Sequence, residues 1–134
     1  MKSLLIILLL ILLLFSSCDD SFEVEELYGY YTPLDYKNTF DTIYLTVDGI
    51  YERKVYDKNK KLLLSTTGRC VFENSHRLDL DGFYLNLDDD LIKYPHKVND
   101  SDMYISTYFE RVGYGNIRFC VGYYLGENCY QKVQ

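Results

Sequence analysis

With 134 residues and a formal net charge of −6, the chain has room for one domain and too little for two comfortable ones. A surplus of carboxylates repels phosphate backbones and anionic headgroups, so it argues against nucleic acid as a partner and against membrane contact through a basic patch. Tyrosine is the compositional oddity, fifteen residues in a chain without tryptophan.

Leu4 to Phe15 is an uninterrupted run of twelve apolar residues behind one positive charge, Lys2. It is too short for a transmembrane helix of about 20 residues and matches the core of a signal peptide. A run apolar on every side, without caps or a polar face, does not read as a core helix. Phe15-Ser16-Ser17-Cys18 at its end resembles the lipobox of bacterial lipoproteins, with Phe15 in place of the usual Leu, as in the looser lipoboxes of Bacteroidota. The resemblance implies that residues 1–17 are removed, that Cys18 is the lipidation site, and that the protein resides in the cell envelope, in the outer membrane. Two or three acyl chains on one residue make a lasting anchor, at about 0.8 kcal/mol per buried methylene, without a transmembrane helix.

Residues 19–26 carry five carboxylates in eight positions and no basic residue, which predicts a solvated, extended tether. Acidic residues just behind the cysteine also resemble the signal that sends Bacteroidota lipoproteins to the outer face of the outer membrane. Both readings stay open, and so does the choice of membrane face. The organisation expected is a signal peptide over 1–17, a lipidated Cys18 with its acidic tether over 18–26, and a β domain over 27–134.

Beyond Leu27 the chain is rich in Tyr, Phe, Val, Ile, Leu and Thr, lacks a long helical period, and carries turn signals about every ten residues. A hairpin of Phe40–Val47 with Ile50–Tyr56 turns at Asp48-Gly49. A three-residue loop with Gly49 in the left-handed region places Ile43, Leu45, Val47, Tyr51 and Val55 on one face and Thr42, Thr46, Glu52 and Lys54 on the other. A turn at Lys58-Asn59-Lys60 leads to a strand over Leu62–Phe72, then a turn at Asn74-Ser75. Leu78-Asp79-Leu80 and Phe83–Leu87 flank Asp81-Gly82 as a second hairpin, with Leu78, Leu80, Phe83, Leu85 and Leu87 on one face. After an irregular stretch from Asp88 to Asp102, Met103–Val112 pairs with Asn116–Leu125 around Gly113-Tyr114-Gly115, and a last strand spans Cys129–Val133.

Eight or nine short antiparallel strands must hide their edges, and a small up-and-down barrel does so most economically, with a β-sandwich as the alternative. Leu27-Tyr28-Gly29-Tyr30-Tyr31 is similar to the Leu-x-Gly-x-Trp opening of lipocalin-like envelope lipoproteins, with Tyr31 where Trp is expected. Thr42 to Tyr51 is similar to their recurrent strand-Asp-Gly-strand element. This resemblance, spanning about residues 27 to 56, implies a lipocalin-like binding fold more than an activity.

Chemistry-bearing patterns are few. Arg77-Leu78-Asp79-Leu80-Asp81-Gly82 with Asp88 imitates a calcium loop, but Arg77 occupies the first ligand position and strands rather than helices flank it. Asp88-Asp89-Asp90 has the carboxylate density of a surface cation site, although charge runs in loops are usually solvated. His76 and His96 have no Cys or Glu at zinc-motif spacing. Ser65, Ser75, Ser101 and Ser106 lack a nucleophile-elbow context. Asp41-Thr42-Ile43 matches a short O-glycan acceptor pattern of secreted Bacteroidota proteins. Tyr28, Tyr30, Tyr31, Tyr36, Tyr123 and Tyr124 suit either a sugar- or protein-binding face or a small β core with wet edges.

Cys70, Cys120 and Cys129 remain after Cys18, in a compartment where disulfides persist. A final turn centred on Gly126-Glu127 would set Cys120 roughly 13 Å along the ladder from Cys129, beyond the Cα limit of about 7 Å. That register excludes a Cys120–Cys129 bridge and leaves Cys70 with either partner, or three free thiols. The function these readings support is a non-enzymatic binding or structural module, held to the membrane through Cys18, without cofactor or metal, taking a small apolar or glycan ligand or an envelope protein. The alternative is an anchored hydrolase or metal-dependent enzyme using the Asp79–Asp90 carboxylates.

Overall fold

The computed structural model describes residues 21–74, 76–85, 90–94, 103–122 and 126–134. These form nine antiparallel strands: β1 Gly29–Pro33, β2 Thr39–Leu45, β3 Ile50–Asp57, β4 Leu62–Glu73, β5 Arg77–Asp81, β6 Tyr104–Tyr108, β7 Glu110–Val112, β8 Asn116–Cys120 and β9 Cys129–Lys132. Two single-turn helices, α1 Val24–Leu27 and α2 Asp90–Lys93, complete the elements. The strands run side by side in the order β6-β5-β4-β3-β2-β1-β9-β8-β7, an all-β, nearly closed up-and-down barrel.

Two devices close it. The first and last strands pair, with Tyr31 opposite Lys132 and Pro33 opposite Tyr130. The two end strands of the order, β6 and β7, are one stretch of chain broken only at Phe109. Its first part pairs with β5 and its second with β8. At the break Phe109 is buried, and its N–H donates to the His76 carbonyl at 2.7 Å. Where the two halves diverge, the Thr107 hydroxyl donates to the Cys120 carbonyl at 2.5 Å and ties β6 to β8. An exposed row of backbone donors on either edge would invite pairing with another chain, and this bent strand removes most of it.

The hairpin at Gly49 forms as the loop chemistry dictates. Thr46 N–H donates to the Ile50 carbonyl at 2.9 Å across three loop residues, and Gly49 has φ 73°. Ile43, Leu45, Tyr51 and Val55 are buried, whereas Val47 is 69% exposed because it belongs to the loop and not to the ladder. Between them, the same alternation turns Asp41 and Arg53 inward.

Three expectations are corrected. Asp81-Gly82 does not turn a hairpin: β5 has β4 on one edge and β6 on the other, so Phe83 and Leu85 find no free edge and instead fold into the core. The segment behind Cys18 is not an extended tether throughout. Phe22 is buried against Phe109, and α1 follows, its start fixed by the Glu23 N–H donating to the Glu26 carboxylate at 3.0 Å and the Glu26 N–H donating to the Glu23 carbonyl at 2.9 Å. Cys120 and Cys129 are directly opposite in the β8–β9 ladder and joined by a disulfide, while Cys70 is free and buried. The final connection is longer than a two-residue turn, because β8 ends at Cys120 and β9 begins at Cys129.

Candidate functional site

The barrel interior is filled. Leu27, Tyr31, Ile43, Leu45, Tyr51, Leu78, Leu80, Phe83 and Phe119 are wholly buried and pack as one cluster. Tyr31 stands among Phe109 and Phe119, with its hydroxyl donating to the Leu27 carbonyl at 2.8 Å, so one ring fixes α1 over one end of the barrel. Arg111 holds α1 from outside, paired with Glu26 at 2.8 Å and lying over the Phe22 ring at 4.6 Å.

Within this apolar filling lies an ion pair. Arg53 Nε donates to Asp41 Oδ2 at 2.8 Å, a second guanidinium nitrogen bonds the same oxygen, and a third donates to the Tyr84 carbonyl. Tyr130 donates its hydroxyl to Asp41 at 3.0 Å, and the Phe83 ring lies 4.3 Å from the guanidinium carbon. Burial, the largest single influence, would loosen the Arg53 proton, but the Asp41 charge, Tyr130, the hydrogen bonds to Asp41, and Tyr51 together outweigh it, so the guanidinium holds its proton more tightly than in water. Burial and then Asp41 push the Tyr130 hydroxyl upward, which keeps it a donor. Every buried side-chain polar atom among the described residues has a partner. The network is therefore satisfied in itself and offers nothing unmet to a ligand.

The acidic residues singled out from the sequence do not converge among the described residues. Asp79 is tied to Arg77 at 2.9 Å on the outer wall, and Asp81 to Arg69 at 2.9 Å. For Asp79, burial raises the pKa but hydrogen bonds from Ser106, Tyr104 and Arg77 outweigh it, leaving the carboxyl below its ordinary value. Asp90 begins α2, and Asp88 and Asp89 lie outside the described residues. His76 is exposed and stacks on Tyr108 with ring centroids 5.5 Å apart; His96 lies outside the described residues. Among the described residues no group of three or more His, Cys, Asp or Glu side chains is placed to hold a metal. Cys18, Ser75, Ser101, Tyr123 and Tyr124 are likewise outside them. Asp41 of the glycan-acceptor pattern is inside the barrel, with Thr42 half-buried in mid-strand.

The larger of two recesses among the described residues is on the outside. A cleft of about 520 Å³ runs between the β1–β2 loop, the ends of β2 and β3, and the β3–β4 turn, lined by Tyr36, Lys37, Phe40, Tyr56, Lys58 and Lys60 among others. That volume falls within the usual range of small-molecule sites. Phe40 and Tyr56 are direct cross-strand partners with outward side chains, and Tyr36 meets Phe40 edge-on at 5.1 Å. A register shift between Val55 and Tyr56 in the β3–β4 ladder disturbs the strand at this point, a device that re-aims side chains near sites. The sequence indicated Tyr36 as one of a group of tyrosines but gave no reason to join it to Phe40, Tyr56 and the lysines. The signal was available in the pairing of Phe40 with Tyr56 across the Gly49 hairpin. A smaller recess of about 270 Å³ lies along the seam of β6 and the end of β8, beside Leu85, Ile105 and Val121.

No family model, curated protein or solved structure matches this chain.

Proposed function

We propose that the protein is a lipid-anchored envelope lipoprotein, held in the outer membrane by acyl chains on Cys18, that binds a ligand in its outer cleft and performs no chemistry on it. The apolar run ending in Ser16-Ser17-Cys18 supports the anchor. The observation that carries the binding reading is the contrast between a barrel interior filled by side chains and an aromatic cleft of about 520 Å³ open on its outer wall. A ligand in the barrel mouth would need a cavity where Tyr31, Tyr51, Phe83 and Phe119 stand. Of the carboxylates an enzyme would need, Asp79 and Asp81 are held by arginines on the wall, away from that cleft.

Metabolic labelling with a fatty acid tests the anchor. The wild-type chain takes up label and Cys18→Ser takes up none, leaving an uncut or soluble precursor. Undiminished labelling of Cys18→Ser would overturn the lipoprotein reading.

A further inference from the structure

The cleft differs from the rest of the molecule in charge. In a chain with a net charge of −6, its lining holds Lys37, Lys58 and Lys60 against one carboxylate, Asp57. The Asp57 oxygen accepts from the Asn59 and Lys61 N–H groups at 2.8 and 2.9 Å, which commits it to shaping the turn. None of the three lysines takes part in a salt bridge among the described residues, although Arg53, Arg69, Arg77, Arg111 and Arg118 all do. The cleft thus combines aromatic rings with unpaired cations.

Backbone conformation points the same way. The β2–β3 and β3–β4 turns share one design: Thr46 N–H reaches the Ile50 carbonyl and Asp57 N–H reaches the Lys61 carbonyl, each at 2.9 Å. In each, the residue before the closing one is left-handed, Gly49 at φ 73° and Lys60 at φ 63°. Glycine takes this conformation freely, whereas a side chain pays about 1–2 kcal/mol for it. The turn at the cleft therefore carries a lysine where its sister turn carries the residue that relieves the backbone. Strain kept at a position where it is easily removed points to a use for the side chain.

Position selects the source of the ligand. α1 lies by Gly29, which pairs with Leu45 at the Gly49 end of the barrel, whereas the cleft is at the Asp57 end of β3. β3 is eight residues long from Ile50 to Asp57, roughly 23 Å of extended chain. Cys18 is only three residues before Ser21, so no more than about 11 Å of chain joins it to the segment in which Phe22 packs on Phe109 and α1 follows. An anchor on Cys18 places the cleft on the side facing away from the bilayer, out of reach of the headgroups beneath it.

We infer that the cleft bounded by Tyr36, Phe40, Tyr56 and Lys37, Lys58 and Lys60 is a binding site for an acidic oligosaccharide, presented on the membrane-distal end of the barrel. The aromatic rings offer flat apolar faces to the C–H faces of sugar rings, and the ammonium groups pair with their carboxylates. The ligand class deepens the binding reading above, and its membrane-distal presentation rests on the anchor proposed there.

The protein is purified from whichever cell fraction holds it and titrated by calorimetry at low salt with trigalacturonate, with galactotriose as its uncharged counterpart. Trigalacturonate binds at least tenfold more tightly than galactotriose, and the difference shrinks as salt is raised. Tyr36→Ala weakens both sugars, whereas Lys58→Gln with Lys60→Gln weakens trigalacturonate tenfold or more and leaves galactotriose unchanged. Lys60→Gly guards against misfolding: it raises the unfolding midpoint while still weakening trigalacturonate. Equal affinity for the two sugars, no binding of either, or indifference to the lysine substitutions overturns the inference. So does tighter binding to phosphatidylglycerol vesicles through the same lysines, which would make the cleft a lipid-headgroup site. Recovery from the soluble fraction with trigalacturonate binding intact would remove the anchor and leave the ligand class standing, so the two failures are read separately.

Discussion

Arg53 is 1% exposed and Asp41 4%, in a core otherwise built of aromatic and aliphatic side chains. The pair is not a net source of stability on its own, since removing two charges from water costs several kcal/mol each. Breaking it is another matter, because the surviving guanidinium would stay buried beside Phe83 and the Tyr84 carbonyl without a counter-charge. Asp41→Ala is expected to cost about 3–5 kcal/mol in urea unfolding, a large share of the stability of a small domain. Asp41→Val with Arg53→Met should be more stable than Asp41→Ala alone; a double variant as weak as the single one would show that the stranded charge is not the cause. The alternation of the Gly49 hairpin runs through both positions, but the inward face read from the sequence held only its apolar members, Ile43, Leu45, Val47, Tyr51 and Val55, so a charged pair inside was not anticipated. What it could not supply was the Tyr130 hydroxyl that completes the site from β9.

Acid stability is also set residue by residue. Hydrogen bonding from Arg111 lowers Glu26, and the bonds from Ser106, Tyr104 and Arg77 overcome burial to lower Asp79. A carboxylate whose folded pKa is depressed contributes stability that is complete above its unfolded value and lost as pH falls through the folded one. The unfolded values are 4.5 for Glu26 and 3.8 for Asp79, so stability should hold from neutrality to about pH 5 and fall below it. Asp79→Asn should flatten the acid limb of the urea midpoint plotted against pH. An unchanged limb would mean that other carboxylates carry it.

Among elements, the β8–β9 pair departs most from its sequence reading. A tight turn at Gly126-Glu127 is good local chemistry, yet β8 ends at Cys120 and β9 begins only at Cys129. Turn residues fix register only where the strand runs up to the turn, and nothing local to the sequence marks where pairing stops. The same limit hid the fate of Asp81-Gly82, where Leu78, Leu80 and Leu85 are buried as their spacing indicated while β4 and β6 occupy the strand edges. Closing a nine-residue separation, the Cys120–Cys129 bridge is expected to contribute about 2.5 kcal/mol. Peptide mapping without reduction should recover that cross-link. Cys70, whose thiol burial pushes up to about 11, should resist alkylation at neutral pH until the chain unfolds. A Cys70 cross-link, or rapid alkylation of the native protein, would contradict this arrangement.

For the whole molecule, strand count, turn spacing and edge avoidance were enough to read an antiparallel up-and-down barrel, and the nine-strand order bears that out. The closure was less legible. It depends on Phe109 breaking a strand whose halves serve opposite edges, and on an amino-terminal segment whose carboxylates read as a tether but whose Phe22 fills the core. The cleft joins a loop, two strand ends and a turn that are brought together only when the barrel forms, so no single stretch of sequence carried it.

The central claim is a module that is anchored by Cys18 and holds its cleft away from the bilayer. Single fluorophores at Asn59→Cys, beside the cleft, and at Tyr114→Cys, on the exposed turn at the opposite end, report this directly once the labelled protein is in liposomes containing spin-labelled lipid. The account predicts strong quenching at position 114 and little at position 59, with both signals lost from the liposomes when Cys18 is changed to Ser. Quenching that is stronger at 59 than at 114, or liposome binding that survives the loss of Cys18, would contradict it.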